Sequence, residues 1–272
     1  MKNSLILNLR AMLARAQVRI IGIKRDLFWI LFDVLLPLLG VSTFVFIYKS
    51  LNVPDFAYAF VILGGAMIAY WLNILWSMAS QLYWERMTGN LPIFFIAPCS
   101  INSILRGMAL GGMVAASVRA ISILILGILI FKIPVDFSNL SSALFIFSIT
   151  LIALHGLGMM LSSVFLLSGR EAWHLASLLQ EPIYLFSGFF FSVKVFPFII
   201  SFLSSLLPTT LGLDALRQTL ILGSKPFAFL TVELETVILL FLSGIYIGGS
   251  FYLAKRIETI ARREGRLIVR WQ

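Results

Sequence analysis

Few residues of this sequence could do chemistry, and most of those stand inside long apolar runs. Asp33, Arg119, His155, His174, Glu181, Glu233 and Glu235 are the ionisable side chains to explain. No Gly-x-x-x-x-Gly-Lys-Ser/Thr loop is present, so the sequence shows no phosphate cradle of its own. Neither histidine has a cysteine or carboxylate at metal-ligand spacing that would make a convincing site, so no metal site is predicted. The single cysteine, Cys99, excludes an internal disulfide and suits a small apolar role. What remains is charge in an apolar setting. A charge at the centre of a bilayer costs ~2.5–3.5 kcal/mol on insertion scales. Asp33 lies early enough in its run to reach an inner interface, whereas Arg119 must face protein or water. Glu181, just before Pro182, is expected to line a cavity or to join a buried pair. Glu233 and Glu235 fall near an outer end. His155, beside Gly156 and close to Gly158, is expected as a packed neutral side chain bonded to a neighbouring helix, and His174 as interfacial.

The elements that must position these residues follow from composition. The chain has 272 residues, 60% of them hydrophobic and 12% charged; its mean hydropathy is +0.99. One soluble core cannot hide that much apolar surface, so the bilayer is the solvent for much of the chain. A span needs ~20 apolar residues. Six are predicted, at about 27–48, 56–80, 104–131, 140–167, 173–192 and 227–254. The expected fold class is all-α: a single polytopic transmembrane domain over 1–272. It divides into an interfacial helix at 1–26, a six-span bundle at 27–254 and a basic tail at 255–272. The net charge of +9 is read as basic ends facing anionic lipid, not as a nucleic-acid surface. The Lys and Arg residues cluster in 1–25, in the loops holding Arg86, Arg106 and Arg170, and beyond Lys255. The opposite set is Lys49, Lys132, Lys194, Arg217 and Lys225. That asymmetry predicts a multi-pass protein with both termini cytoplasmic, in the plasma membrane. The long basic stretch Lys2–Arg25 and the long first run argue against a cleaved signal peptide.

Residues 1–25 have an amphipathic pattern. Leu5, Leu9, Met12, Leu13 and Ile20 are expected to face lipid, with Arg10, Arg15 and Arg19 at head groups. Glu258 and Arg262 pair at i, i+4 in the tail. Gly107 with Gly111, and Gly244 with Gly248, predict close helix approach. The connector after the second span, YWERMTGNLPIFFIAPCSINSILRG, is too long and too apolar for a plain loop. It carries Glu85, Arg86 and a Gly89-Asn90 break, and offers an amphipathic surface to a soluble partner. The stretch SGFFFSVKVFPFIISFLSSLLPTTLGLDALRQTL is apolar but broken at Lys194, Pro197 and Pro208. Each proline removes a backbone donor and can start a short helix. Phe198–Leu207 is too short to span, which predicts a re-entrant or interfacial element.

Together these two stretches resemble the permease subunits of ABC-type exporters of the second class, the drug and polysaccharide export permeases. Glu85, Gly89, Leu91, Ala97 and Pro98 match the loop motif, with Asn90 and Pro92 in place of the usual Thr and Glu. Ser187, Gly188, Phe189, Phe190, Pro197, Pro208, Asp214, Ala215, Leu216 and Arg217 match the later one; Ser192 and Val193 stand where a proline is usual. The resemblance implies two permease copies, or this chain with a related permease, around a central pathway in the lipid bilayer. Two copies of a separate ABC ATPase would bind ATP and Mg below them. This chain would hold no cofactor and perform no hydrolysis. The loop residues Glu85, Arg86, Gly89, Leu91, Ala97 and Pro98 would form the ATPase-coupling interface. Glu181, Pro182, Ser187, Gly188, Phe189, Phe190, Phe196, Pro197, Pro208, Asp214 and Arg217 would form the outer gate or pathway. An aromatic, weakly charged lining suits a hydrophobic or amphiphilic drug or a lipid. A lipid-linked glycan, a gradient-driven carrier and a non-transporting scaffold are the rival readings.

Overall fold

A computed structural model describes the backbone of residues 2–25, 27–168 and 172–263. Eleven α-helices run in chain order among these residues, with no strand: α1 Lys2–Arg25, α2 Leu27–Ser50, α3 Phe56–Leu72, α4 Gln81–Met87, α5 Leu91–Ile96, α6 Ile101–Phe131, α7 Leu140–Ser168, α8 Ala172–Phe186, α9 Phe198–Ser205, α10 Pro208–Leu220 and α11 Val232–Arg263. The tail beyond Arg263, Arg170 and the Glu258 and Arg262 side chains lie outside the described residues.

Five stretches are long and apolar enough to cross a bilayer: Leu31–Ser50, Phe56–Glu85, Ile101–Phe131, Leu140–Phe165 and Val232–Leu253. The second of them is the most enclosed and forms the centre of the bundle. It joins α3 to α4 through a π-helical segment, Asn73–Ala79. Around it, α6 packs on α3, α7 packs on the π-helical segment and α4, and α11 lies along α7.

The fifth predicted span is where the structure departs from the sequence reading. A helix over 173–192 does not form. Instead α8 ends at Phe186 after 15 residues, about 22 Å at 1.5 Å per residue. The chain then turns through Ser187–Ser192 and enters α9 and α10, which are bent by 101° to each other. The cause is local. Gly188 holds φ +69, a left-handed conformation that a helix cannot use. Pro197 caps α9 and Pro208 opens α10. The α9–α10 elbow reaches deep into the bundle: Tyr246 Oη donates to the Leu206 carbonyl at 2.6 Å. Tyr246 lies roughly 21 Å along α11 from Val232. This is a re-entrant unit and not an extracellular loop.

The first helix also differs from expectation. It runs beside the start of α6, with Asn8 accepting from the Ser100 amide at 2.8 Å. A Cβ at Gly107 or Gly111 would collide with Met12, Arg15, Ala16 or Arg19. Leu5, Leu9, Leu13 and Arg10 are exposed as expected, but Met12 and Ile20 are half-buried. Arg15 and Arg19 turn inward, because α4 supplies polar partners that head groups would otherwise provide. Gly244 and Gly248 meet nothing within 4 Å among the described residues; Gly156 and Gly249 make the close approaches between α7 and α11.

Candidate functional site

The turn after α8 presents three backbone carbonyls to the bundle, and each accepts from a side chain. Arg217 Nη2 donates to the carbonyls of Phe189 and Phe60, both at 2.9 Å. Its Nη1 donates to the Phe191 carbonyl at 3.2 Å. Tyr48 Oη donates to the Phe190 carbonyl at 3.0 Å. Irregular backbone inside a membrane needs its acceptors met by protein, and the carbonyls of Phe189, Phe190 and Phe191 are met in this way. The Arg217 guanidinium is 1% exposed and lies over the Phe60 ring, 4.6 Å from its centroid. Three carbonyls and an aromatic face receive its charge.

Close approach makes this possible. A Cβ on Gly64 of α3 would overlap the Phe189 carbonyl. Phe189 is wholly buried, and Phe190 stacks on Phe44 with centroids 3.9 Å apart. Phe196 is half-buried between Phe186 and Phe191. Ser187 is buried and its Oγ meets no partner among the described residues. Ser192 Oγ donates to the Phe227 carbonyl and Ser201 Oγ to that of Val193. One turn before Arg217 on α10, Asp214 Oδ2 accepts from the Phe229 amide at 2.8 Å. Gln218 Nε2 donates to Glu235 Oε2 at 2.9 Å. Glu235 is fully buried, and its carboxyl lies against that of Asp214; Glu233 is exposed. The structure therefore gathers Ser187, Gly188, Phe189, Phe190, Phe196, Pro197, Asp214 and Arg217 around one unit, with Pro208 at its elbow. Glu181 is not in it, while Pro182 borders it and lines a cleft with Ile200, Leu203 and Ser204 of α9. Glu181 and Pro182 sit on α8 beside the π-helical segment, where Gln180 accepts from Trp76 Nε1 at 2.8 Å.

A second polar cluster lies at the other end of the bundle. Glu85 on α4 is buried and forms an ion pair with Arg15 of α1. Gln81 Nε2 donates to Glu85 Oε1 at 3.0 Å, and Asn90 Nδ2 to Oε2 at 3.1 Å. Arg19 Nη1 donates to Gln81 Oε1 at 2.7 Å. Burial, then Arg119 and Arg15, lower the Arg19 pKa. Gly89 turns the chain at φ +77. On either side of it, Met87, Ile93 and Ile96 are exposed, as is Pro98, and Ala97 is half-buried. Arg86 and Leu91 lie on α4 and α5, their side chains outside the described residues. So Glu85 is an inward-facing clasp, and the outward surface is apolar.

Between the clusters, Arg119 pairs with Asp33 at 3.4 Å. Pairing between spans offsets much of the cost of each charge. The Nδ1 of His155 has no partner among the described residues, so the expected bond to a neighbouring helix is not made. His174 is exposed and Cys99 is a half-buried free thiol.

Sequence reasoning missed Arg15, Gln81 and Asn90 around Glu85, and Gly64, Tyr48 and the Phe60 carbonyl around the turn. Gly64-Gly65 inside an apolar run was the available signal for the close approach. No sequence signal marks a backbone carbonyl as an acceptor for Arg217.

An all-α bundle with five stretches long enough to cross a bilayer, the shorter α8 that makes a broken sixth crossing, and one re-entrant unit defines a polytopic membrane protein. The family model described as ABC-2 type transporter matches residues 8–221, which include the clasp, the re-entrant turn and all of α10. The chain belongs to that family: it is a multi-pass membrane subunit of an ABC transporter. Permeases of this family work in general with an ABC ATPase and in dimeric arrangements. No curated protein matches the chain.

Proposed function

We propose that this permease exports a hydrophobic or amphiphilic substrate, driven by two copies of a separate ATPase that carries ATP and Mg. Two permease copies, or this chain and a related one, flank the pathway in the plasma membrane, with both termini cytoplasmic. The observation that carries the reading is the pair of clusters at opposite ends of the bundle. At one end an apolar surface around Gly89, Ile93 and Ile96 is free for a soluble partner. At the other a re-entrant unit hangs on Arg217. The ATPase drives transport only by favouring one arrangement of the spans over another. Glu85 is a positioning residue in this scheme. It ties the coupling turn to α1, and through α1 to α6. The outer unit opens when α10 moves and Arg217 gives up its carbonyls.

Mild-detergent purification from the native membrane, with mass spectrometry of what co-elutes, tests the proposal. A stoichiometric subunit with a phosphate-binding loop is expected. A folded, homogeneous permease without one transfers the role to a gradient-driven carrier.

A further inference from the structure

Glu181 stands apart from both clusters, and its surroundings point to a ligand. The carboxylate is exposed on α8, and none of the ion pairs among the described residues includes it. It is nonetheless held. Trp76 Nε1 donates to Gln180 Oε1 at 2.8 Å, and Gln180 Nε2 donates to Glu181 Oε1 at 3.1 Å. This chain is rooted in the π-helical segment, whose widened turn is closed by the Ser80 amide on the Leu75 carbonyl at 3.2 Å. Such segments re-aim side chains and recur at functional sites. The same face of α8 exposes Leu178, Pro182 and Leu185. A fixed carboxylate beside an exposed apolar stripe matches a molecule with one positive charge and an apolar body.

We propose that Glu181 recognises an organic cation with an apolar body, and that this is the cargo class of the transporter. The inference rests on the export reading above. Hydrocarbon is a poor alternative neighbour, since an unpaired carboxylate facing it deep in the bilayer costs ~2.5–3.5 kcal/mol. A second copy related by an axis along the membrane normal would place its own Glu181 at the same depth. Two carboxylates facing one pathway repel each other and attract a cation between them.

The full-length permease in nanodiscs is dialysed against tetraphenylphosphonium and, separately, against tetraphenylborate, which has the same shape and the opposite charge. Saturable binding of the cation alone is expected. Glu181→Gln is expected to weaken it about tenfold, the low end for losing one charged contact. Glu181→Lys is expected to transfer the preference to the anion. Equal binding of both ions by the unaltered protein, or variants that keep its preference, overturns the proposal. The discs are made with phosphatidylglycerol and again with phosphatidylethanolamine. Loss of cation binding in the second lipid identifies a head-group ammonium as the occupant and overturns the cargo assignment. Adding the ATPase separates the two readings. Selective, Glu181-dependent binding without ATP-driven movement of the cation sinks the export reading and leaves the cation site standing.

Discussion

Arg217 and Phe189, 28 residues apart, are joined by a 2.9 Å hydrogen bond from the guanidinium Nη2 to the backbone carbonyl. The same nitrogen holds the Phe60 carbonyl of α3. One side chain of α10 thus fastens the end of the broken fifth crossing to the central helix.

Replacing Arg217 by Met should leave buried carbonyls without donors, each costing about 1–3 kcal/mol. The expected outcome is a large fall in thermal stability, read by fluorescence-detected size exclusion, with export lost. Arg217→Lys keeps the charge but not the planar fork, and should fall between Met and the native residue. A Met variant as stable as the native protein would remove Arg217 from this role.

Gly64→Ala puts a methyl group where the Phe189 carbonyl sits. Backbone must shift to admit it, so stability should drop by about 1–3 kcal/mol, the range of overpacked cores. Gly40→Ala is the control. Nothing lies within 4 Å of a Cβ there, and a helical alanine should be neutral or stabilising by up to about 1 kcal/mol. Equal behaviour of the two variants in a melting assay would contradict the close approach.

Glu85→Ala leaves Arg15 without its carboxylate and loosens the hold of α1 on the coupling turn, leaving the Arg19–Gln81 and Asn8–Ser100 bonds. Arg15 is 28% exposed on its side chain, so the loss should lie below the ~3–5 kcal/mol of a fully buried pair. Cys99 is a native reporter, half-buried between α5 and α6. Its labelling by a membrane-impermeant maleimide should speed up in the variant. With cytoplasmic termini, the native thiol should react in inverted vesicles and not in intact cells. Labelling from outside would reverse the topology.

Asp33 and Arg119 should show coupling. Asp33→Asn or Arg119→Met alone leaves a charge without its partner, whereas the double variant removes both. The double variant should therefore be more stable than the sum of the singles predicts, by about 0.5–3 kcal/mol. Additive losses would mean that the 3.4 Å pair contributes nothing.

Much of this protein was determined by the sequence alone. Apolar runs of sufficient length dictate helices wherever the chain must satisfy its own backbone in lipid, and five full-length crossings form where those runs predict them. Pro197 and Pro208 start short helices because neither has an amide to donate, and Gly89 and Gly188 turn left-handed because no side chain forbids it. The fifth span was misjudged because hydropathy measures transfer to lipid and not backbone continuity. Ser187–Ser192 carries three phenylalanines that extend the apolar run, yet its backbone turns and is held by Arg217 and Tyr48. Only tertiary structure decides such matters. The partners of Arg217 are carbonyls, which every residue carries, so no pattern of side chains announces them. Arg15 and Arg19 read as head-group residues by periodicity; α4 turns them inward by presenting Glu85 and Gln81. Periodicity gives a residue its side of a helix, but which neighbour meets that side is set by packing over long separations in the chain.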